Sequence, residues 1–516
     1  MKKVGRYSFF LLSFLLWVAV LAGAGELWAR WRMGAIAQRN PFVLSRTEGA
    51  AWPIPDEHSD AFSQWLLDDA LRANYRGAGK STQPLPPADP VRQMEQRLPF
   101  FLAYDAWERQ VFANVHGMHV LLLDEEAAIL HACSVPDSMN PPPLSDLLPH
   151  EDLGILRNAM AELRGANTTY LFAQPRNMQA RSFGYCLAVP APETRREYGP
   201  SIWLLRRKPT LGEESNENLW DVPFFLYRPH VHRRDHVNVL GLAEDFYVNN
   251  HGFRDADLHV PKPPGVYRIL CIGASTTEEG PTNDLTYPAI LEALLNRHFE
   301  TNRFDVVNCG VSGMNSLKHR IKTAEYLALA PDLLIIYNAV NDICHDLFPL
   351  WVKQASPWRQ RLRESHVINQ FFNAYLLPDA AEMATLIEQH KMADLHYVIT
   401  QAAGRGIPVA VCGFAAPDPA LLSRHERAYY NYYTMLEWGG KYVVFDTYLR
   451  ALDTYNNALR ALCRETDTLY IPVDQLLRGG ANLFGDICHL RNAGIEQKAE
   501  IIARHLIPLI EDQALP

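Results

Sequence analysis

No two of the eight cysteines stand in a Cys-x-x-Cys pair, and they are strung singly from Cys133 to Cys488. Neither a zinc site nor a dense disulfide scaffold is therefore expected. Several sit in apolar runs such as Ile269-Leu270-Cys271-Ile272, where a thiol packs as a small hydrophobe. Cys344 and Cys488 stand beside the chemistry-bearing motifs described below, which leaves a disulfide or a redox-sensitive thiol as the alternative there. Positive charge is also short: 49 Lys and Arg face 58 Asp and Glu, a formal net charge of -9. That balance gives no basic face, which weighs against nucleic acid and against stable docking on anionic lipid heads. Disorder is disfavoured too, because 48% of the chain is hydrophobic and only 21% charged. At 516 residues the chain exceeds what one hydrophobic core supports, so two folded units with connecting segments are expected.

One absence of charge is local and long. From Tyr7 to Gly25 about 19 residues carry no charged side chain, close to one helical span of the hydrocarbon core. Lys2, Lys3 and Arg6 precede the run, which fits a signal peptide or an uncleaved signal anchor with the N-terminus in the cytoplasm. Ala22-Gly23-Ala24 offers a small-residue cleavage site. The length of the run, with Trp28 and Trp31 as interfacial anchors, favours the anchor. The reading is a single-pass membrane protein whose remaining chain faces outward, on the periplasmic side in a bacterium. Arg30, Arg32 and Arg39 blunt the charge asymmetry and keep the inverted topology open.

Residues 40 to 98 are broken by Pro and Gly, with one amphipathic helical stretch at Asp60 to Ala73, and read as a tether and lead-in. The pattern then changes to a hairpin with strands at His119 to Leu123 and Ala127 to Ala132. A helix from His150 to Arg164 follows, with Glu151 and Asp152 at its positive end, and then strands at Thr168 to Ala173, Arg181 to Val189 and Ser201 to Arg206. This order, with the Leu-Leu-Pro-His-Glu-Asp stretch, resembles a PAS domain, a fold whose members bind small ligands, sense signals or dimerise. Nothing marks a cofactor: His131 and His150 read as packed or exposed histidines rather than haem ligands. Between Leu219 and Asp257 the chain is rich in Tyr, His, Arg and Asn and should wrap the next domain. His230, His232 and His236 lack a carboxylate or fourth ligand at tight spacing, so they read as a solvated, mixed-charge loop rather than a metal site.

From Tyr267 onward strands and helices alternate, as a parallel sheet with covering helices requires. The strands fall at Tyr267 to Ile272, Asp305 to Cys309, Leu333 to Tyr337, Pro408 to Cys412 and Leu469 to Ile471, and are apolar on both faces. Helices are expected at Tyr287 to His298, Ser316 to Leu329, Ala381 to Gly404, Thr447 to Glu465 and Ala493 to Leu506. In such sheets the functional crevice lies beyond the carboxyl ends of the strands.

Four motifs fall there. Gly273-Ala274-Ser275-Thr276-Thr277 follows the first strand, so Ser275 should project into the crevice with its own amide near a helix start, suited to an oxyanion. Asn308-Cys309-Gly310-Val311-Ser312-Gly313 offers a glycine amide, and Asn341-Asp342 in Ile-Ile-Tyr-Asn-Ala-Val-Asn-Asp offers an uncharged carboxamide donor. Asp486-Ile487-Cys488-His489 precedes the last helix. A serine hydroxyl is a poor nucleophile until a base takes its proton, an imidazole suits that task, and a carboxylate three residues earlier can fix its tautomer.

Together these motifs resemble, in order and context, the four blocks of SGNH (GDSL-like) hydrolases over about 240 residues, supported by "TYPAILEALL" and "DICHLRNAGIEQKAEIIARHL". The resemblance implies a three-layer α/β/α, flavodoxin-like hydrolase domain with a parallel sheet, preceded by the α+β PAS-like domain and a transmembrane helix. The segments would run 1–33 (anchor), 34–104 (tether), 105–210 (PAS-like), 211–262 (wrapping linker) and 263–516 (hydrolase). By matching position Ser275 is nucleophile and oxyanion donor, Asp486 and His489 complete the triad, and Gly313 and Asn341 donate to the oxyanion, with Gly310 the less favoured glycine. Ala274 departs from the usual nearby aspartate, and Ala339-Val340 replace glycines; bulk at Val340 would favour short acyl groups. No cofactor or metal is implied. The function expected is a membrane-anchored esterase acting through an acyl-serine on ester-linked acyl groups, acetyl foremost, of a small molecule or an envelope glycan. An O-acyltransferase using the same triad, and a non-catalytic PAS-containing signalling or scaffold protein, stand as alternatives; the oligomeric state is open.

Overall fold

The computed structural model describes residues 2–38, 77–86, the strands between 119 and 227 given below, 229–237, and 243–512 apart from 355–356, 363–364, 373–377 and 437–443. The chain starts with one helix, Lys2–Gln38. Its segment Ser13–Ile36 is long and apolar enough to cross a membrane, a test that a signal sequence also passes.

Strand β1 (Lys80–Ser81) lies far from its neighbours in sequence. Strands β2 (His119–Leu123), β3 (Ile129–Ala132), β4 (Tyr170–Ala173), β5 (Gly184–Ala188) and β6 (Ile202–Arg207) form an antiparallel sheet of order β3-β2-β6-β5-β4. All five expected strands of this region are present, within a few residues of their expected bounds. The helices expected at 60–73 and 150–164 lie outside the described residues.

Short strands β7 (Trp220–Asp221) and β8 (Leu226–Tyr227) pair, and β9 (His232–Val237) pairs with β10 (Ala243–Tyr247). The histidine-rich stretch is therefore partly a hairpin rather than the solvated loop expected. His230 and His232 turn to different partners: His232 Nε2 meets Asp245 Oδ1 at 2.6 Å, while His230 Nδ1 meets the Tyr247 hydroxyl at 3.2 Å.

Strand β11 (Asp257–Leu258) pairs antiparallel with β1, which corrects the reading of the whole of 34–104 as a tether. Residues 77–86 are built into the hydrolase domain. The buried ammonium of Lys80 pairs with Asp255 at 3.0 Å and Glu292 at 2.8 Å and donates to the Val306 carbonyl at 3.0 Å. A cation with no water must find such partners, which is why a lone lysine can fix a distant segment in place.

The C-terminal sheet comprises β12 (Tyr267–Gly273), β13 (Phe304–Gly310), β14 (Leu333–Tyr337), β15 (Val409–Cys412) and β16 (Leu469–Ile471), all parallel, in the order β13-β12-β14-β15-β16. β12, β13, β14 and β15 are buried along their whole length, as continuous Val, Ile and Leu runs predict for strands covered on both faces. Helices Tyr287–His298, Ser316–Ala328, Phe445–Glu465 and Asn492–Asp512 pack with it. The expected helix Ala381 to Gly404 is broken into Ala380–Ile387, a π-turn at Glu388–Met392, and Ala393–Ala403. Strand order reverses on either side of β12, so a crevice opens between the carboxyl ends of β12 and β14.

Candidate active site

Ser275 begins the four-residue helix Ser275–Glu278 directly after β12. Its hydroxyl oxygen lies 2.8 Å from His489 Nε2, across 214 residues of sequence. The other ring nitrogen, Nδ1, lies 2.6 Å from Asp486 Oδ2. Asp486 Oδ1 accepts the amides of Cys488 at 2.8 Å and His489 at 2.7 Å, so the carboxylate folds its own loop around the ring it orients. That loop is closed by Gly485 donating to the His489 carbonyl at 2.9 Å.

The electrostatics follow from burial and pairing. Asp486 and His489 are both almost entirely buried. Burial pushes the Asp486 carboxyl up, but the facing imidazole and the two amides outweigh it and hold it below the usual carboxylate range. Burial pushes His489 down, and the Asp486 charge and hydrogen bond more than reverse this, so the imidazole sits above its usual value. Asp486, Cys488 and His489 cluster tightly enough to suggest a cation site. Burial pushes the Cys488 thiol well up, so it stays protonated at 3.4 Å from Nδ1, a poor metal ligand. Cys344 and Cys488 are both free and buried, which removes the disulfide between them. Burial drives the Cys344 thiol upward as well.

The expected oxyanion donors stand at the ends of adjacent strands. Neither the Ser275 amide nor the Gly313 amide has an intramolecular partner among the described residues. Gly313 lies exposed at φ +75, a backbone conformation that side chains rarely adopt. Gly310 differs: its amide donates to Asn308 Oδ1 at 3.0 Å, and a Cβ there would meet the Glu278 amide at 2.5 Å. It is a glycine of close packing. Asn341 is buried and gives one carboxamide hydrogen to the Met314 carbonyl at 2.7 Å, and its second hydrogen has no partner among the described residues. Asp342 beside it accepts from Ser316 N and Oγ at 2.9 Å, Asn338 Nδ2 at 2.8 Å and the Tyr455 hydroxyl at 2.5 Å. The buried ammonium of Lys391 bonds Asp346 and reaches Asp342. This network clamps a π-turn, Asp342–Leu347, directly after Asn341.

Sequence reasoning missed the bracing of these loops. Glu278 Oε2 accepts the Ser312 amide at 2.8 Å and the Tyr227 hydroxyl at 2.6 Å, holding the Gly313 turn to the helix that carries Ser275. Burial pushes Glu278 up to about 7 against the pull of the Tyr227 hydroxyl and Arg254. Glu279 Oε2 accepts the Leu490 amide at 2.9 Å, one residue past His489, while Oε1 pairs with Lys498 at 2.9 Å. Lys498 also donates to the Thr276 carbonyl at 2.6 Å and lies over the rings of Tyr287 and Tyr337. The signal available was a pair of acids three and four residues after Ser275 and a lysine on an otherwise apolar helix face. Neither reveals its partner.

Residues 271–496 match the model of the GDSL-like lipase/acylhydrolase family. No curated protein matches the chain. Among solved structures, an α/β hydrolase from the metagenome of Lake Arreo, Spain, is 18% identical, with 47% of this chain and 94% of that chain covered and a TM-score of 0.29. A catalytic mutant of an acetylxylan esterase from Geobacillus stearothermophilus is 18% identical over 46% of this chain and 94% of that one, TM-score 0.30. A GDSL-like lipase from Bacteroides thetaiotaomicron is 13% identical over 48% and 88%, TM-score 0.28.

Proposed function

We propose, for a chain whose residues 271–496 form the GDSL-like acylhydrolase domain of an ester-hydrolysing serine hydrolase, that Ser275 is the nucleophile, His489 its base and Asp486 the carboxylate that orients it. The observation that carries this is the unbroken pair of short contacts, Asp486 Oδ2 to Nδ1 at 2.6 Å and Nε2 to Ser275 Oγ at 2.8 Å. The Ser275 oxygen attacks the ester carbonyl as Nε2 takes its proton, and the carbonyl π electrons move onto oxygen. That oxyanion is met by the Ser275 and Gly313 amides and the free hydrogen of Asn341. His489 then gives the proton to the departing alkoxide, leaving an acyl-serine. Water, deprotonated by the same ring, repeats the sequence and releases the acid.

The substrate we infer is an ester of a short acyl group, acetyl foremost, on a small molecule or an envelope glycan. Val340, buried beside Asn341 where a glycine would leave space, supports the short chain. The N-terminal helix acts as the anchor, with Lys2, Lys3 and Arg6 supporting an outward catalytic domain. For 105–210 we retain a PAS-like fold, supported by an antiparallel sheet whose first and last strands, β2 and β6, lie side by side. The test is labelling of the full-length protein with a fluorophosphonate, with Ser275→Ala as control, followed by turnover of acetyl and octanoyl esters. Labelling that persists in Ser275→Ala removes the assignment, and faster octanoyl turnover removes the short pocket.

A further inference from the structure

The N-terminal helix does not stand clear of the hydrolase domain along its whole length. Among the described residues its first hydrogen bonds to the domain are made by Glu26, where the uncharged run ends. The Glu26 carboxylate accepts from the Ser365 hydroxyl at 2.9 Å and from the amides of His366 at 3.0 Å and Val367 at 3.3 Å. Two residues on, the Trp28 ring stacks on Phe371 with centroids 6.2 Å apart, and Ala29 and Met33 are buried. The helix thus reaches from Lys2 to Glu26 over roughly 35 Å, at 1.5 Å per residue, close to the ~30 Å hydrocarbon core. The domain begins where a bilayer would end.

Beside that contact the domain shows lipid-compatible side chains. Helices Pro357–Leu362 and His366–Phe372 expose Trp358 (57%), Leu362 (38%), Phe371 (54%) and Phe372 (53%), an unusual concentration of large apolar groups for a surface facing only water. Trp28 (47%) and Trp31 (70%) continue it on the N-terminal helix. The charge here runs against the chain's overall balance: residues 351–372 hold Lys353, Arg359, Arg361 and Arg363 against the single acid Glu364. The guanidinium of Arg359 lies over the rings of both Trp351 and Trp358, a polar tip above an apolar body. Aromatics with basic residues are the composition of a helix lying in the headgroup zone.

We propose that the face formed by Pro357–Leu362 and His366–Phe372 lies in the interfacial zone of the same bilayer that the N-terminal helix crosses, docking the hydrolase domain directly on the lipid. The proposal rests on the anchor reading above. The occupant is the lipid surface, because the face is continuous with the helix that enters it. The active site is then held at a fixed height over the membrane rather than on a free tether, which restricts its substrates to esters that reach the membrane surface.

The experiment uses the full-length protein in phosphatidylcholine vesicles with a minority of phosphatidylglycerol. Trp358→Cys, Phe372→Cys and, as a control elsewhere on the domain, Leu476→Cys are each labelled with a fluorophore, with the unsubstituted chain as the blank for native thiols. Quenching by headgroup-depth nitroxide lipid is read for each. Labels at 358 and 372 should be quenched about twofold or more over 476, as for groups roughly 5–10 Å into the interface. Retained fluorophosphonate labelling certifies the fold of each variant. Equal quenching at all three positions in protein that floats with vesicles after carbonate treatment overturns the docking and leaves the anchor standing. Protein that does not float overturns the anchor, and the docking with it.

Discussion

Replacing Asp486 by Asn perturbs the relay while sparing the loop that holds it. The Asn oxygen can still accept the amides of Cys488 and His489, at 2.8 and 2.7 Å from the present oxygen, so the turn keeps its bonds. The amide group, however, now stands where Oδ2 accepted from Nδ1 at 2.6 Å. A donor facing Nδ1 obliges that nitrogen to carry its lone pair, which moves the proton to Nε2. The ring then donates to Ser275 Oγ at 2.8 Å instead of accepting from it. Restoring the active tautomer forfeits a charge-assisted hydrogen bond of about 1.5–3 kcal/mol. The imidazolium formed during attack also loses a facing charge worth about 4 kcal/mol at 4 Å and an effective dielectric of 20. The sum, about 5.5–7 kcal/mol, is a loss of about 10⁴–10⁵ in kcat. The pH profile supplies an independent reading. His489 must be neutral to act, and Asp486 holds it above its usual value against burial. The acid limb of the parent enzyme should therefore lie above pH 6.5, with activity lost as pH falls through it. In Asp486→Asn only the lesser pull of the Glu279 and Glu278 charges is left to oppose burial, so the limb should move to lower pH. The assay is ester turnover from pH 5 to 9, with circular dichroism for the fold. A loss below tenfold, or a limb that stays in place, refutes the assignment of Asp486.

Asn341→Ala removes one oxyanion donor and should cost about 10²–10³ in kcat with little change in KM; an unchanged kcat means the carboxamide serves only its bond to the Met314 carbonyl. Glu278, raised by burial to about 7 from an ordinary 4.5, contributes stability that is complete below pH 4.5 and is lost as pH rises through 7. Urea unfolding between pH 5 and 8 should therefore lose up to about 3 kcal/mol from this group, a slope that Glu278→Gln abolishes; equal slopes in both proteins would contradict it. Lys80→Met leaves Asp255 and Glu292 buried without their cation and should destabilise the hydrolase domain by about 3–5 kcal/mol. A change below about 1 kcal/mol in urea unfolding would return residues 77–86 to the status of a loose tether.

The parallel sheet was legible because its strands are short apolar runs, a pattern that burial on both faces explains for β12 to β15. Ser275 and His489 were legible for a related reason. Ser275 sits in a short polar motif just past such a run and His489 in one just ahead of the last helix, and only a few side chains have the chemistry to act on each other there. What escaped was whatever depends on a partner far along the chain. Lys80 reads as one charge in a Gly-rich stretch until Glu292, 212 positions later, is seen beside it. The helix from Ala380 reads as continuous, because apolar spacing does not register the π-turn in which Lys391 reaches Asp346. Glu278 and Glu279 carry no sign of their partners in the sequence, yet Glu278 is buried against Tyr227 and Glu279 pairs with Lys498.

That acidic pair ties together loops from three parts of the chain. Sheet order alone brings the ends of β12, β13 and β14 together but does not fix the turns beyond them. Successive residues leaving the Ser275–Glu278 helix point about 100° apart. Glu278 consequently reaches the Ser312 amide on one side and Glu279 the Leu490 amide on the other. Every displacement of the nucleophile's helix is thus transmitted to the Gly313 turn and to the His489 loop at once. Each brace is an amide held by a carboxylate within a largely water-excluded site, where loss of the acceptor leaves a donor unpaired. The geometry between Oγ, Nε2 and the Gly313 amide is therefore set by a single four-residue helix rather than by the flexibility of three separate loops.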